Sequence, residues 1–375
     1  MKTYIICLLS SLIGDMSNAR GVARSTADLY APDAVIAHEI KAEEVDKADA
    51  LIRTFNDADK VIVISAGMDG LDAALDLKSS FEDRIYVSWS GHQFPEGRDA
   101  LPIDRVNLPR GVAPYALKSS DRLTETTGVP HNLTKADLEV SRREWSNRIP
   151  ATDKKKLVLI LGGDAPLSDG KTQKFYTTKE AEELADYIAT LAKTDDYYVY
   201  VTNGPRTGKF NNATMNEDKT VHRGDADLSE PTDPVSVAFV NRLRSMNFKD
   251  FYFADFRYGT PSISAYKPFL GLLGSSDLLI LPGESVSMFS ETVDLIHNRI
   301  GYITGSMNDG HHENMERFKN ESPIAILSLP TATGESKLEM SSLIGGVEAP
   351  EPAAMTVAKA IKADLARTQT TGLQR

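Results

Sequence analysis

Residues 273–291, LGSSDLLILPGESVSMFSE, constrain the fold more than any other stretch of the chain. A short apolar run, residues 278–281, follows an acidic residue, ends in Pro-Gly and passes through a hydroxyl-rich turn into the start of a helix. Strand, glycine-containing turn and helix N-terminus in that order place backbone N–H groups and the hydroxyls of Ser285, Ser287 and Ser290 where an anion or a ribose can sit. Residues 157–164 (LVLILGGD) and 197–208 (YYVYVTNGPRTG) repeat the pattern. Three such junctions in one half of a chain predict a parallel α/β domain whose ligands gather at the carboxyl ends of its strands.

The N-terminal half carries the same alternation. Apolar runs at 4–9, 34–39, 61–64, 85–88 and 105–108 read as strands. The segments 18–30, 42–56 and 69–80 between them read as helices, the signature of a parallel sheet covered on both faces. Residues 134–149 form a charged helix, with Thr134 as N-cap and Asp137 at the third position as in a capping box. Pro150 ends it, and the polar segment 151–156 is the expected linker. The sequence therefore divides into a domain over residues 1–150, a second over 157–348, and a tail, 349–375, holding a helix near 353–367. The proline pair Pro350 and Pro352 offers the tail a place to turn back onto the first domain. Residues 206–234, polar and rich in Asn, Asp and Thr, read as an exposed loop or lid.

Composition removes several function classes. The chain has 375 residues and a formal net charge of −11, which opposes non-specific nucleic-acid binding because that depends on neutralising phosphates. One cysteine, Cys7, excludes a disulfide framework and cysteine-rich zinc motifs. Residues 4–13 allow two readings, a buried first strand or the apolar part of a secretory signal; the strand reading goes with a cytoplasmic protein, the other with a secreted one. No run approaches the ~20 apolar residues of a membrane span. His311-His312, in an expected polar loop, does not make a metal site, since adjacent histidines rarely face one ion. No GxSxG elbow, HExxH or P-loop is present.

The junctions supply the candidate chemistry. Gly162 and Gly163 let the backbone approach a phosphate or a facing element. Asn203, Arg206 and Thr207 follow the next strand, and a planar guanidinium suits a diphosphate. Ser285 and Ser287 stand at a helix entrance, and Glu291 is placed to accept hydrogen bonds from a ribose or to interact with the helix dipole. In the first half, Asp15, Met68-Asp69, His92 and Arg110 occupy analogous turns. Among these, His92 and Asp15 are the acid–base candidates.

On these residues the chain resembles the plant elongated-mitochondria (mitochondrial fission) family and its bacterial relatives, which look like members of the GT-B glycosyltransferase superfamily. The resemblance runs over most of residues 1–305. It rests on Gly14-Asp15 followed by Asn18, Gly21 and Ala23, on 61–75 (VIVISAGMDGLDAAL), on 126–149, on LILGGD, and on the VTNGPRTG and SVSMFSE segments. Gly204-Pro205 and Pro282-Gly283-Glu284 depart from the family's usual residues, leaving Arg206 to keep the charge. The resemblance implies two Rossmann-like domains facing across a cleft, the C-terminal one holding a nucleotide-diphosphate sugar as co-substrate, with no metal and no further cofactor. Plant members are known for a role in organelle shape rather than for a reaction. Three functions follow as expectations: transfer of the sugar to an unknown acceptor, a non-catalytic scaffold that keeps the fold, or epimerisation of a nucleotide sugar.

Overall fold

The computed structural model describes residues 2–30, 34–95, 98, 101–166, 173–204, 206–208, 210–211, 216–217, 229–256, 267–293, 295–296, 298–322, 324–330, 336–340 and 350–372. Most of the expected lid at 206–234 lies outside them. The chain forms two compact units. One comprises Met1–Leu133, Ser290–Asp294 and Pro350–Arg375; the other comprises Thr134–Phe289 and Leu295–Ala349.

The first unit is built on six parallel strands: β1 (Thr3–Leu9), β2 (Ala34–Lys41), β3 (Lys60–Ala66), β4 (Ile85–Ser90), β5 (Arg105–Pro109) and β6 (Leu123–Thr126). Their spatial order is β2-β1-β3-β4-β5-β6. Helices α1 (Ile13–Tyr30), α2 (Val45–Ile52), α3 (Gly67–Phe81) and α4 (Tyr115–Lys118) make the crossovers. Both faces are buried, so the strands read as continuous apolar runs rather than alternating ones. Ile6, Leu8, Val61 and Val63 pack with Ala48 and Ile52 of α2 and Leu71, Ala74 and Leu77 of α3. The intervening Ile5, Cys7, Ile62 and Ile64 pack with Ala19, Val22 and Ala23 of α1. Residues 3–9 are thus a buried strand paired on both sides, the strand reading of the N-terminal run.

The second unit carries β7 (Lys155–Ile160), β8 (Tyr197–Thr202), β9 (Phe251–Ala254), β10 (Leu278–Pro282), β11 (Arg299–Tyr302), β12 (Ala325–Ser328) and β13 (Lys337–Met340). They lie in the order β9-β8-β7-β10-β11-β12-β13, parallel except for the β12–β13 pair. Around them are α5 (Lys135–Trp145), α6 (Thr178–Asp195), α7 (Pro234–Ser245), α8 (Lys267–Leu273), α9 (Val286–Thr292) and α10 (Asp309–Glu321). Two Rossmann-like units in one α/β chain are what the sequence led us to expect. Thr134 and Asp137 form the capping box at the start of α5, each side chain bonding the other's backbone N–H.

Three local readings differ. The charged helix α5, placed by sequence at the end of the first domain, groups with the second unit. It packs on α8, where Gly271 and Gly274 leave room for the Trp145 ring and the Leu138 carbonyl. His311 and His312 lie in α10, not in a loop; Asn308 caps that helix, and the His311 ring accepts the Asn308 N–H. Strands β6, β12 and β13 were not foreseen; the β6 segment LTET lacks an apolar run.

The tail helix α11 (Ala353–Gly372) packs on α1 and β6 of the first unit. Val357 and Ile361 enter the apolar layer beneath α1. Asp364 takes hydrogen bonds from the Tyr86 hydroxyl and from the Arg105 Nε at 2.8 Å. Arg105 is 4% exposed and also donates to the Thr124 hydroxyl and the Asp121 and Leu123 carbonyls. Removing one partner of such a pair leaves a buried cation short of an acceptor. Asp364→Ala is therefore expected to destabilise the chain by about 1.5–3 kcal/mol, the scale of a hydrogen bond to a charged group. Arg367→Ala, at the exposed end of the same carboxylate, should cost under about 0.5 kcal/mol. Denaturant midpoints of the two variants check this, and equal costs would contradict it.

Candidate functional site

In a doubly wound sheet the chain leaves its first strand in one direction and later returns to build in the other, opening a crevice at the carboxyl ends of the two strands where the order reverses. Here those strands are β1 and β3 in the first unit, and β7 and β10 in the second. Both switch points hold buried or half-buried carboxyl groups.

At the second, the chain after β7 runs Leu161-Gly162-Gly163, and the chain after β10 runs Gly283-Glu284-Ser285. Glu284 is 3% exposed and ties the strand ends together. Its Oε1 accepts the Gly163 N–H at 2.6 Å, and its Oε2 accepts the Thr304 hydroxyl, beyond β11, at 3.2 Å. Thr304 has one hydroxyl proton, so the Ser306 hydroxyl, 2.9 Å away, donates to Thr304 in turn. Arg206 is half-buried and reaches the Glu284 carbonyl at 3.5 Å. Its backbone carbonyl accepts the Asp164 N–H, and a Cβ on Gly163 would stand 2.9 Å from the Arg206 Cβ. Only glycine fits between these two loops. Burial raises the Glu284 pKa, while the Arg206 charge and the Gly163 N–H pull it back part of the way.

The structure thus brings Gly163, Arg206 and Ser285 together, with Glu284, which was not singled out from sequence, at their centre. Ser285 is buried and its N–H bonds the Pro282 carbonyl, while Ser287 is exposed on α9. The Gly162 Cα faces Tyr176 and Thr304, leaving a Cβ no clear space. Asn203 is a buried hub: its amide nitrogen donates to Asp233, Ser236 and Asp255, and its oxygen accepts the Phe256 N–H. The Thr207 hydroxyl accepts the Gly204 N–H and is fully buried. Glu291 is buried and groups with the first unit rather than with this cluster. A cavity of ≈ 490 Å³ lies at the amino edge, lined by Lys155, Tyr197, Asp277 and Asn298. That edge is the wrong end of a parallel sheet for a ligand site.

At the first switch point, Asp15 lies in the first turn of α1 and Asp69 in the first turn of α3. Gly67 opens α3 with φ +72, and a Cβ there would fall 2.2 Å from the Asp15 Oδ2. The Asp15 carboxyl therefore sits directly against the α3 entrance. The Trp89 indole holds that entrance by donating to the Gly67 carbonyl at 2.8 Å. Asp69 accepts the Ser11 N–H at 2.8 Å and the Gly70 N–H at 2.9 Å. Burial, with the Asp69 charge adding to it, raises the Asp15 pKa from 3.8 to about 6, against a hydrogen bond from Ser10. Burial alone would raise Asp69 too, but bonds from Ser10, Ser11 and Gly70 hold it below its ordinary value. His92, beyond β4, is exposed as a residue, and desolvation of its ring lowers its pKa. Among the described residues no group of histidines, cysteines and carboxylates could hold a metal ion. No helix there is long and apolar enough to cross a membrane.

Residues 21–226, more than half the chain, match the mitochondrial fission ELM1 family. The chain belongs to that family. No curated protein matches this ELM1-family chain in sequence. Among solved structures it is similar to a glycosyltransferase from Rickettsia africae ESF-5, at 13% identity over 97% of this chain and 88% of that one, TM-score 0.43. It is also similar to ADP-heptose lps heptosyltransferase II of E. coli, at 11% identity over 98% and 100%, TM-score 0.41. A third is a UDP-N-acetylglucosamine 2-epimerase, so described, from Listeria monocytogenes, at 10% identity over 84% and 82%, TM-score 0.47. At such identities and scores, nothing about ligand or reaction passes from them to this ELM1-family chain.

Glu284 gives a pH test with a definite sign. Its folded pKa is raised, so the stability it contributes is complete below the ordinary glutamate value and is lost as pH rises through the folded value. Glu284→Gln keeps an acceptor for Gly163 without the charge. The melting temperature of this variant, measured relative to wild type, should rise as pH climbs above the ordinary glutamate value of about 4.5. A flat difference above that value would contradict the assignment.

Proposed function

We propose that this ELM1-family chain is a glycosyltransferase of GT-B-like fold that moves a sugar from a nucleotide-diphosphate sugar to an acceptor hydroxyl. The observation that carries the reading is Asp15, a carboxyl at a topological switch point whose pKa of about 6 suits a general base at neutral pH. In this reading Asp15 takes the proton from the acceptor hydroxyl as its oxygen bonds to the anomeric carbon and the bond to the diphosphate breaks. Arg206, with Ser285 and Ser287, stabilises the departing diphosphate without a metal ion. His92 stays the alternative base, less favoured because it is exposed.

A second reading, a non-catalytic scaffold, draws support from a different observation. The Gly163 N–H, Asn203 and Thr207 are all engaged within the protein, and the Glu284 carboxylate would repel a diphosphate seated at Gly163. With the Gly163 N–H held by Glu284, donor binding rests on Arg206.

Thermal shift against UDP-, GDP-, CMP- and TDP-linked sugars tests both. One donor at a hundred times its Kd should stabilise the folded chain by about 2.7 kcal/mol. Arg206→Ala should weaken that donor by roughly ten- to a hundredfold. Asp15→Asn should leave its affinity near wild type and slow turnover by about 10²–10⁴. A flat panel at millimolar ligand would sink the transferase and favour the scaffold.

A further inference from the structure

The two carboxyl groups at the first switch point differ in their surroundings, and the difference is built by the backbone. Asp69 takes both of its nearest main-chain donors, Ser11 N–H from the β1–α1 loop and Gly70 N–H from its own helix. The Asp15 carboxyl sits against the Cα of Gly67, a position that carries no side chain. The Ser10 hydroxyl accepts the Leu12 N–H and faces both carboxyl groups, lowering the pKa of each. A hydroxyl has one proton to give, so it cannot satisfy two carboxylates at once. Asp69 is satisfied without it.

We propose that Asp69 is a positioning residue: it clamps the β1–α1 loop to α3 and places its charge at the α3 entrance against which the Asp15 carboxyl sits. The inference rests on the reading of Asp15 as general base and adds the residue that sets its protonation. Two carboxyl groups side by side cannot both ionise at low cost, and the one with more donors ionises first. Among the described residues Asp69 is the charged group that acts on Asp15, across from α3, and the loop after β1 contributes the neutral Ser10. Because the folded Asp15 pKa lies above 3.8, the proton is kept below that value and lost as pH rises through about 6. The base is then free near neutrality and blocked under mildly acidic conditions.

The test is Asp69→Asn in the full chain, which keeps an acceptor for Ser11 and removes the charge. Carboxyl NMR, with Asp15→Asn to assign the resonance, should show the Asp15 midpoint fall from about 6 towards 3.8. The acid limb of the pH–rate profile for sugar transfer should move the same way, raising the ratio of the rate at pH 5 to that at pH 8. A merely structural role would lower the rate at every pH and leave the midpoint in place. If Asp69→Asn does not fold, Ser10→Ala keeps both carboxyl groups and should move the Asp15 midpoint upward. A midpoint unmoved in both variants overturns the proposal. A midpoint that moves in a chain that transfers no sugar supports the pairing and removes the transferase reading alone.

Discussion

A carboxyl group with almost no access to water ties together three strand ends of the second unit. Glu284 accepts a main-chain donor from beyond β7 and a hydroxyl from beyond β11, and it belongs to the chain that has just left β10. Three neighbouring strand ends are thereby fixed relative to one another, in addition to the bond from the Gly283 N–H to the Tyr302 carbonyl between β10 and β11. The arrangement costs desolvation of an acid, which appears as its raised pKa. In return the Gly163 and Arg206 loops pack at backbone distance, and the Arg206 side chain is directed to the carboxyl edge of the sheet. Ser285 follows immediately in the chain. A hydrophobic residue at 284 could fill the volume, but it could not tie three loops.

The first unit solves the corresponding problem with Asp69, which bonds across from α3 to the loop after β1. At each switch point an acidic side chain accepts a main-chain donor, Gly163 for Glu284 and Ser11 for Asp69, and a second polar group stands beside it. In the first unit that group is a carboxyl, in the second a guanidinium.

Much of the fold was legible in the sequence because parallel strands covered on both faces must be apolar at every position. The runs at 4–9, 61–64, 157–161, 197–202 and 278–281 meet that demand. What lay outside it was missed for the same reason. β6 is a sheet edge with alternating burial, and α10 turns only Met315 and Phe318 into the core among its assigned residues. The candidate site was legible as a set of strand-end turns but not as contacts. Asn203 looked like a ligand group and is a structural hub, because its partners Asp233, Ser236 and Asp255 lie 30, 33 and 52 residues further on. Glu284 and Asp69 sat in turns already singled out, yet nothing local distinguishes a carboxylate that binds backbone from one that faces water.

The central claim is that ligand binding belongs to the carboxyl edges of the two sheets, where Arg206 and Asp15 stand. Hydrogen–deuterium exchange of the whole chain, with and without a saturating nucleotide-diphosphate sugar, tests it most directly. The account predicts added protection in the described segments at 203–208 and 284–289, and none at Lys155, Tyr197, Asp277 and Asn298 on the amino edge. Protection at the amino edge, with 203–208 and 284–289 unchanged, would contradict it.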